Sequence, residues 1–333
     1  MPILPLISIV IVSWNSAEYL HHCLDCLSLQ TFQNFEVVLV DNGSHDGGAN
    51  NLEQKHPRLT LHIEHLSSNQ GFARANNLGA QIARGRWLAL LNVDAFPETD
   101  WLEKLIAAAN KNPDFSFFSS RQIQFNQPDI LDGSGDEYHI SGLAWRRFYN
   151  YSAENYGLHE EEVFSACAAA AIYNRDDFLK AGGFDESYFS YFEDVDLSFR
   201  LRLAGERCLY VPQAVVHHIG SASLGKTSDF AVFHGHRNMV WTFFKNMPGV
   251  LFWLYLPLHI LANFLFVVSF LLKRRGTTIV RAKMDALYHL PAIIRKRRQI
   301  QSSRKVGTRE IWQVMNREIL APYWVIRHPR KKF

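Results

Sequence analysis

The sequence predicts an α/β protein with a mostly parallel central sheet flanked by helices. Three observations predict it: short β-branched apolar runs alternate with stretches of helical spacing, the runs end in clusters of polar turn formers, and the alternation repeats through the first hundred residues. Strands covered by helices on both faces read as continuous Val, Ile and Leu runs, as these do. With 333 residues, 47% hydrophobic and 20% charged, the chain has core enough for one large domain plus an appendage.

Residues 6–13 form the first such run, and residues 17–30 have helical spacing through Leu20, Leu24 and Leu27. A second strand over 35–40 ends in DNGSHDGG, residues 41–48, a turn-forming cluster at the carboxyl end of a strand. Ligands bind at that end in open parallel sheets. A third strand near 59–64 leads into NQGFARANNLGA, residues 69–80, and a helix reaching about Arg84. The strand over 87–92 stops at LLNVDAFP, and a helix over 99–110 follows with Thr99 or Asp100 as cap. No G-x-G-x-x-G follows the first strand, which disfavours a pyridine-nucleotide dehydrogenase.

Four cysteines, Cys23, Cys26, Cys167 and Cys208, are too few for a disulfide scaffold and fit a reducing cytoplasm. The opening MPILPLISIVIVSWN lacks a basic n-region and a cleavage-like site, so it reads as a buried strand rather than a secretory leader. Cys23-x-x-Cys26 has no second pair at ligand spacing and reads as two small apolar residues on the first helix.

Residues 183–205, GFDESYFSYFEDVDLSFRLRLAG, set Asp185, Glu186, Glu193, Asp194 and Asp196 against aromatic rings. Charge held partly out of water needs a partner, a metal or a reacting hydroxyl, so one of these acids is a candidate catalytic base. The structural alternative is a helix to about Leu203 with acids in its first turn and Asp196 paired with Arg200 at i, i+4. Asp94, just past an apolar strand, suits a divalent cation that clamps a diphosphate, or else a turn before Pro97. Residues 131–148 read as a loop over a ligand, with Gly133, Gly135 and Gly142 as hinges, or as a β-hairpin meander. Arg146 and Arg147 there face an acceptor phosphate or solvent.

The tail is different in kind. Residues 250–272 are apolar and long enough to cross a bilayer, although Pro257, His259 and Asn263 interrupt them. Lys273, Arg274, Arg275, the run Arg295, Lys296, Arg297 and Arg298, then Arg304 and Lys305 follow. A single span with the preceding domain inside would put this basic tail outside, against the positive-inside tendency; a re-entrant or in-plane helix avoids the conflict. Residues 279–294 add a basic amphipathic pattern suited to anionic headgroups. The alternative is a helix buried against the core or in a dimer. The apolar neighbour suits lipid better than nucleic acid. These features divide the chain into residues 1–248 and a hydrophobic, basic helical region over 249–333.

The motifs SIVIVSWN, VVLVDNGSHDG, NQGFARANNLG, LLNVDA and GGFDESYFSYFEDVDLSFRLRLAG occur in the order found in family 2 glycosyltransferases, over about residues 7–248. The chain resembles the bacterial rhamnosyltransferase-like branch of cell-surface polysaccharide synthesis. That resemblance implies the GT-A nucleotide-diphospho-sugar transferase fold. It places Asp41 on the donor pyrimidine, Ser13 and Asn15 at the base, Asp46 in the nucleotide loop, and Asn69, Asn76 and Asn92 in the donor set. Glu193 and Asp194 match the family's ED motif, with Asp194 as the acceptor-activating base and Glu193 beside the acceptor. Asp94 and His218 are the implied ligands of Mn²⁺ or Mg²⁺, although Asn92-Val93-Asp94 keeps one carboxylate of the usual Asp-x-Asp. His217 and His218 point to opposite faces if the strand continues through them, so one alone reaches the site. Gly135, Arg146 and Arg237 are candidates for the acceptor side or a lid.

The resemblance thus implies an inverting, metal-dependent transferase acting on an NDP-sugar and a glycan or lipid-linked acceptor at the cytoplasmic face of a bacterial inner membrane. A polyprenyl-phosphate sugar synthase and a noncatalytic nucleotide-sugar-binding scaffold are the alternatives.

Overall fold

In the computed structural model of the chain, which describes residues 4–220 and 228–322, the first ninety residues build a parallel half-sheet. Its elements are β1 (Ile7–Ser13), α1 (Ala17–Ser28), β2 (Phe35–Asp41), the short α2 (Leu52–Lys55), β3 (Leu61–His65), α3 (Phe72–Ile82) and β4 (Trp87–Leu91). The order β4-β1-β2-β3 is parallel throughout, and its register sets Ser13 beside Asp41 at the carboxyl ends. Side-chain alternation sorts the strands into two cores. Ile9, Val37 and Ala89 pack toward α1, whereas Val10, Val38 and Leu90 pack toward α3.

The second half is mixed. It comprises β5 (Ala95–Pro97), α4 (Trp101–Lys111), β6 (Phe117–Gln124), β7 (Gln127–Gly133), β8 (Asp136–Tyr138), β9 (Ala144–Arg146), β10 (Glu161–Glu162), β11 (Ala170–Asn174), α5 (Arg175–Lys180), α6 (Glu193–Leu203) and β12 (Cys208–His218). β11 is antiparallel to both β4 and β6, and β12 runs parallel to β6 with a register shift between Val211 and Val215. Among the described residues the main sheet has ten strands, and β8 pairs with β9 as a separate ribbon. Residues 131–148 therefore form a meander, and the hinge reading of their glycines gives way to packing. Gly135 sits at φ +82, and a Cβ there would lie 2.8 Å from Val163 Cγ2. At Gly142 it would lie 2.6 Å from His259 Nδ1.

Five helices complete the described chain: α7 (Asp229–Asn246), α8 (Gly249–Leu272), α9 (Gly276–Tyr288), α10 (Leu290–Ser302) and α11 (Thr308–Val314). The amphipathic pattern expected over residues 279–294 is not one helix, since the chain breaks at His289 between α9 and α10. Among the described residues α8 alone is long and apolar enough to cross a membrane.

Candidate active site

A cleft of ≈ 650 Å³ opens at the carboxyl ends of the strands. Its walls include Asn92, Asp94, Arg146, Glu193, Asp194 and His218, so the meander, α6 and the end of β12 meet there. β5 pairs with β12 so that Ala95 lies opposite His218, which brings the preceding residue, Asp94, to the imidazole. His218 Nε2 is buried and lies 3.4 Å from Asp94 Oδ1, with no other partner; burial pulls the imidazole down, but Asp132 and Asp94 outweigh it and raise it. Its Nδ1 is 2.7 Å from Asp132 Oδ2. If Nδ1 carries the proton, it donates to Asp132 and leaves the Nε2 lone pair facing Asp94, a donor set that fits a divalent cation. Asn92 Oδ1, also buried and unpartnered, faces the same cleft. His217 points the other way, with Nε2 3.2 Å from Glu98 Oε1, as strand alternation requires.

Across the cleft, Asp194 stands in the first turn of α6. Its Oδ2 accepts from the Ala168 amide at 3.2 Å and its Oδ1 from the Val195 amide at 2.8 Å. Burial pushes the carboxyl up, and those amides together with Arg146 do not cancel the rise. Glu193 is buried with Oε2 unpartnered, and burial followed by the Asp194 charge pushes it well above the usual range. Asp136 is raised for the same two reasons. Asp136, Cys167 and Asp194 offer ligand atoms within 4.8 Å of one another, but the Arg146 charge already bears on all three. Of these acids Asp194 has the most amide donors, so Glu193 and Asp136 take the neutral forms first.

Asp132 and Asp136 escaped the sequence reading, in which the glycines of that segment drew attention from its carboxylates. Asp132 pairs with both His218 and Arg146, so Arg146 is anchored inside the cleft rather than in solvent.

The loop before α6 is strained: Phe189, Tyr191 and Phe192 have φ of 65, 69 and 69, where side chains are disfavoured. α7 holds it there. Asn238 Nδ2 donates to the carbonyls of Tyr188, Ser190 and Tyr191 at 3.1, 3.0 and 2.7 Å. Arg237 donates to the carbonyls of Ser187 and Tyr188, both at 3.0 Å, and its guanidinium stacks on Trp241. Arg237, expected on the acceptor side or in a lid, thus spends these donors on the loop that borders the cleft. From below, Asn77 accepts from the Phe184 amide at 2.8 Å and donates to its carbonyl at 2.9 Å. Gly71 allows Phe189 to approach, since a Cβ there would lie 2.7 Å from its ring.

On the donor side, Asp41 Oδ2 is 3.0 Å from His65 Nδ1 and its Oδ1 accepts from the Ser44 amide at 3.0 Å. Asn15, at φ +47, accepts from the His45 amide at 2.9 Å and ties the first loop to the second. Asn69 Oδ1 accepts from Asn42 at 3.0 Å and from the Gly71 amide at 2.9 Å; Asn42, unread in the sequence, lines the cleft beside it. Two expected donor residues are otherwise occupied. Asp46 accepts from the amides of Ala17 and Gly48 at 2.8 and 3.1 Å, capping α1, and Asn76 bonds back to the Phe72 carbonyl at 2.9 Å within α3. Ser13 is buried at the end of β1.

The profile of Glycosyl transferase family 2 matches residues 8–181, more than half of the chain. The chain belongs to glycosyl transferase family 2. An N-acetylglucosaminyl-diphospho-decaprenol L-rhamnosyltransferase of Mycobacterium tuberculosis is 31% identical to this glycosyltransferase over 255 residues, 68% of the chain and 80% of the relative. Glycosyltransferase GlyG of Streptococcus pneumoniae serotype 4 is 25% identical over 224 residues, 62% of the chain and 68% of the relative. Among solved structures, S. aureus TarS 1-349 in complex with UDP-GlcNAc matches with a TM-score of 0.58 at 17% identity, covering 89% of the chain and 90% of TarS 1-349. The mannosyltransferase PcManGT from Pyrobaculum calidifontis, in complex with GDP-Man and Mn²⁺, matches with a TM-score of 0.55 at 16% identity, covering 94% of the chain and 88% of its own. The fold is GT-A, as the motif order implied.

Proposed function

We propose that this glycosyltransferase moves a hexose or deoxyhexose, rhamnose included, from an NDP-sugar to a hydroxyl of a glycan or lipid-linked acceptor, with inversion, in cell-envelope polysaccharide synthesis. The observation that carries the reading is Asp194, held by two amides at the head of α6 and opening onto the same cleft as Asp94 and His218. The mycobacterial relative's name couples L-rhamnosyl transfer to a diphospho-decaprenol-linked sugar, which supports a lipid-linked acceptor and so a place of action at a membrane.

In this reading the acceptor oxygen bonds the anomeric carbon as the bond to the diphosphate oxygen breaks. Asp194 takes the hydroxyl proton, and the nucleoside diphosphate leaves with the bonding pair. A raised pKa makes Asp194 a stronger proton acceptor once ionised, at the expense of its ionised fraction in acid. Asp94 and His218 would hold Mn²⁺ or Mg²⁺, which when bound supplies positive charge against the departing diphosphate. Asp132 orients the His218 ring, and Asp41 faces the nucleoside. Nucleotide release and sugar transfer measured over a panel of NDP-sugars with Mn²⁺ test the proposal. Absence of both with every donor and every hydroxyl acceptor, decaprenyl-linked ones included, would refute it.

A further inference from the structure

Exposed positions on α8 fall at Trp253, Leu254, Ile260, Leu261, Phe264 and Leu265, a continuous stripe at helical spacing. Trp253 is 71% exposed and Phe264 60%, far more than an isolated surface hydrophobe explains. On the neighbouring α9, Met284, Leu287 and Tyr288 are exposed as well. The opposite face of α8 is fastened to the protein. Leu251, Phe252 and His259 are buried, His259 Nδ1 lies 2.7 Å from the Ser141 carbonyl, and its ring stacks on Phe243 at 4.0 Å. Further along, Phe266 and Phe270 meet the His236 ring at 4.8 and 5.1 Å.

A helix crossing a bilayer would have to abandon these contacts, which run through most of its length of about 36 Å. One lying flat keeps them all. Between Gly249 and Arg309 the sequence carries twelve Lys or Arg residues and a single acid, Asp285, which Arg237 approaches at 3.4 Å. Lys273, Arg274, Arg281, Arg295 and Arg298 are exposed. We infer that the α8–α9 face docks in plane on an anionic phospholipid bilayer, with its apolar stripe in the acyl boundary and its basic side chains on the headgroups. The inference rests on this surface alone and does not require the sugar chemistry proposed above, although it would bring a lipid-linked acceptor toward the meander that Ser141 shares with Arg146.

The full chain, mixed with preformed vesicles, tests it. It should float with vesicles containing phosphatidylglycerol and at least tenfold less with phosphatidylcholine alone. Val250→Cys, Leu261→Cys and Leu272→Cys, each labelled with a lipid-quenchable fluorophore in a Cys26→Ser background, probe orientation. Eleven residues return the helix to nearly the same face, so all three labels should lie at equal, shallow depth. A label deepest at position 261 would mean a span and overturn the inference. So would absence of vesicle binding by folded protein, or a stable dimer that covers the stripe. Leu261→Glu with Leu265→Glu should cut vesicle binding at least tenfold while leaving nucleotide release unchanged; loss of the latter alone would bear on the glycosyltransferase proposal and not on this surface.

Discussion

Lys245 is the place to test how the catalytic helix is held. Its ammonium is 1% exposed and lies 2.6 Å from Asp185 Oδ2 and 2.7 Å from Asp196 Oδ1. Asp196 also meets Arg200 at 2.9 Å, and Asp185 meets Lys296 at 2.6 Å, so α6, α7 and α10 share one buried network. Removing one partner of a buried ion pair costs roughly 3–5 kcal/mol. Each acid here keeps a second cation, so Lys245→Met should cost about 3 kcal/mol, near the bottom of that range. At roughly 2 °C per kcal/mol for a chain of this size, the Tm should fall by about 6 °C at pH 7. Burial pushes Asp185 and Asp196 up, but their cations outweigh it and hold both below the ordinary carboxylate range. Burial likewise pulls the Lys245 ammonium down, against the upward pull of Asp196 and Asp185 at 2.7 and 2.6 Å. The depressed carboxyl groups stabilise the fold fully above the unfolded pKa of about 4 and lose that contribution as pH falls through their lower folded values. The gap between wild type and variant should therefore narrow on going below about pH 4. Thermal unfolding followed by circular dichroism from pH 7 to pH 3 measures both. A gap under about 1 °C at pH 7, or one that persists unchanged in acid, would refute the network as argued.

Asp194→Asn should lower turnover by about 10²–10⁴-fold while donor binding, read by thermal shift, stays intact; near-normal turnover would remove Asp194 as base. Because burial raises the Asp194 carboxyl, the acid limb of kcat/KM should lie above that of an exposed aspartate, with activity falling as pH drops through it. Asp132→Asn should weaken Mn²⁺ binding, followed by the metal's paramagnetic resonance signal, by roughly 10–100-fold through loss of His218 orientation. Gly135→Ala should destabilise the protein by about 1–3 kcal/mol in denaturant unfolding, since it adds a Cβ against Val163 at positive φ. An unchanged midpoint would contradict the close packing of the meander.

Local chemistry wrote much of this protein into its sequence. β-branched runs of period two and helical spacing fix which residues become strands and helices, because those preferences act over a few residues; β1, α1, β4 and α6 fall where the pattern puts them. The Asp196–Arg200 pair and the division of labour between His217 and His218 follow from helix and strand geometry alone. What depends on distant partners was not legible. Asp132 reaches His218 across 86 positions, and Arg237 clamps a loop about fifty residues earlier, so their roles exist only once β7, β12 and α7 have packed. The apolar run over 250–272 shows the limit most plainly. Its composition fixes that it shuns water, which is a property of side chains; which face stays bare was decided by His259 meeting Ser141 and Phe243, contacts that chain folding creates and no local pattern encodes.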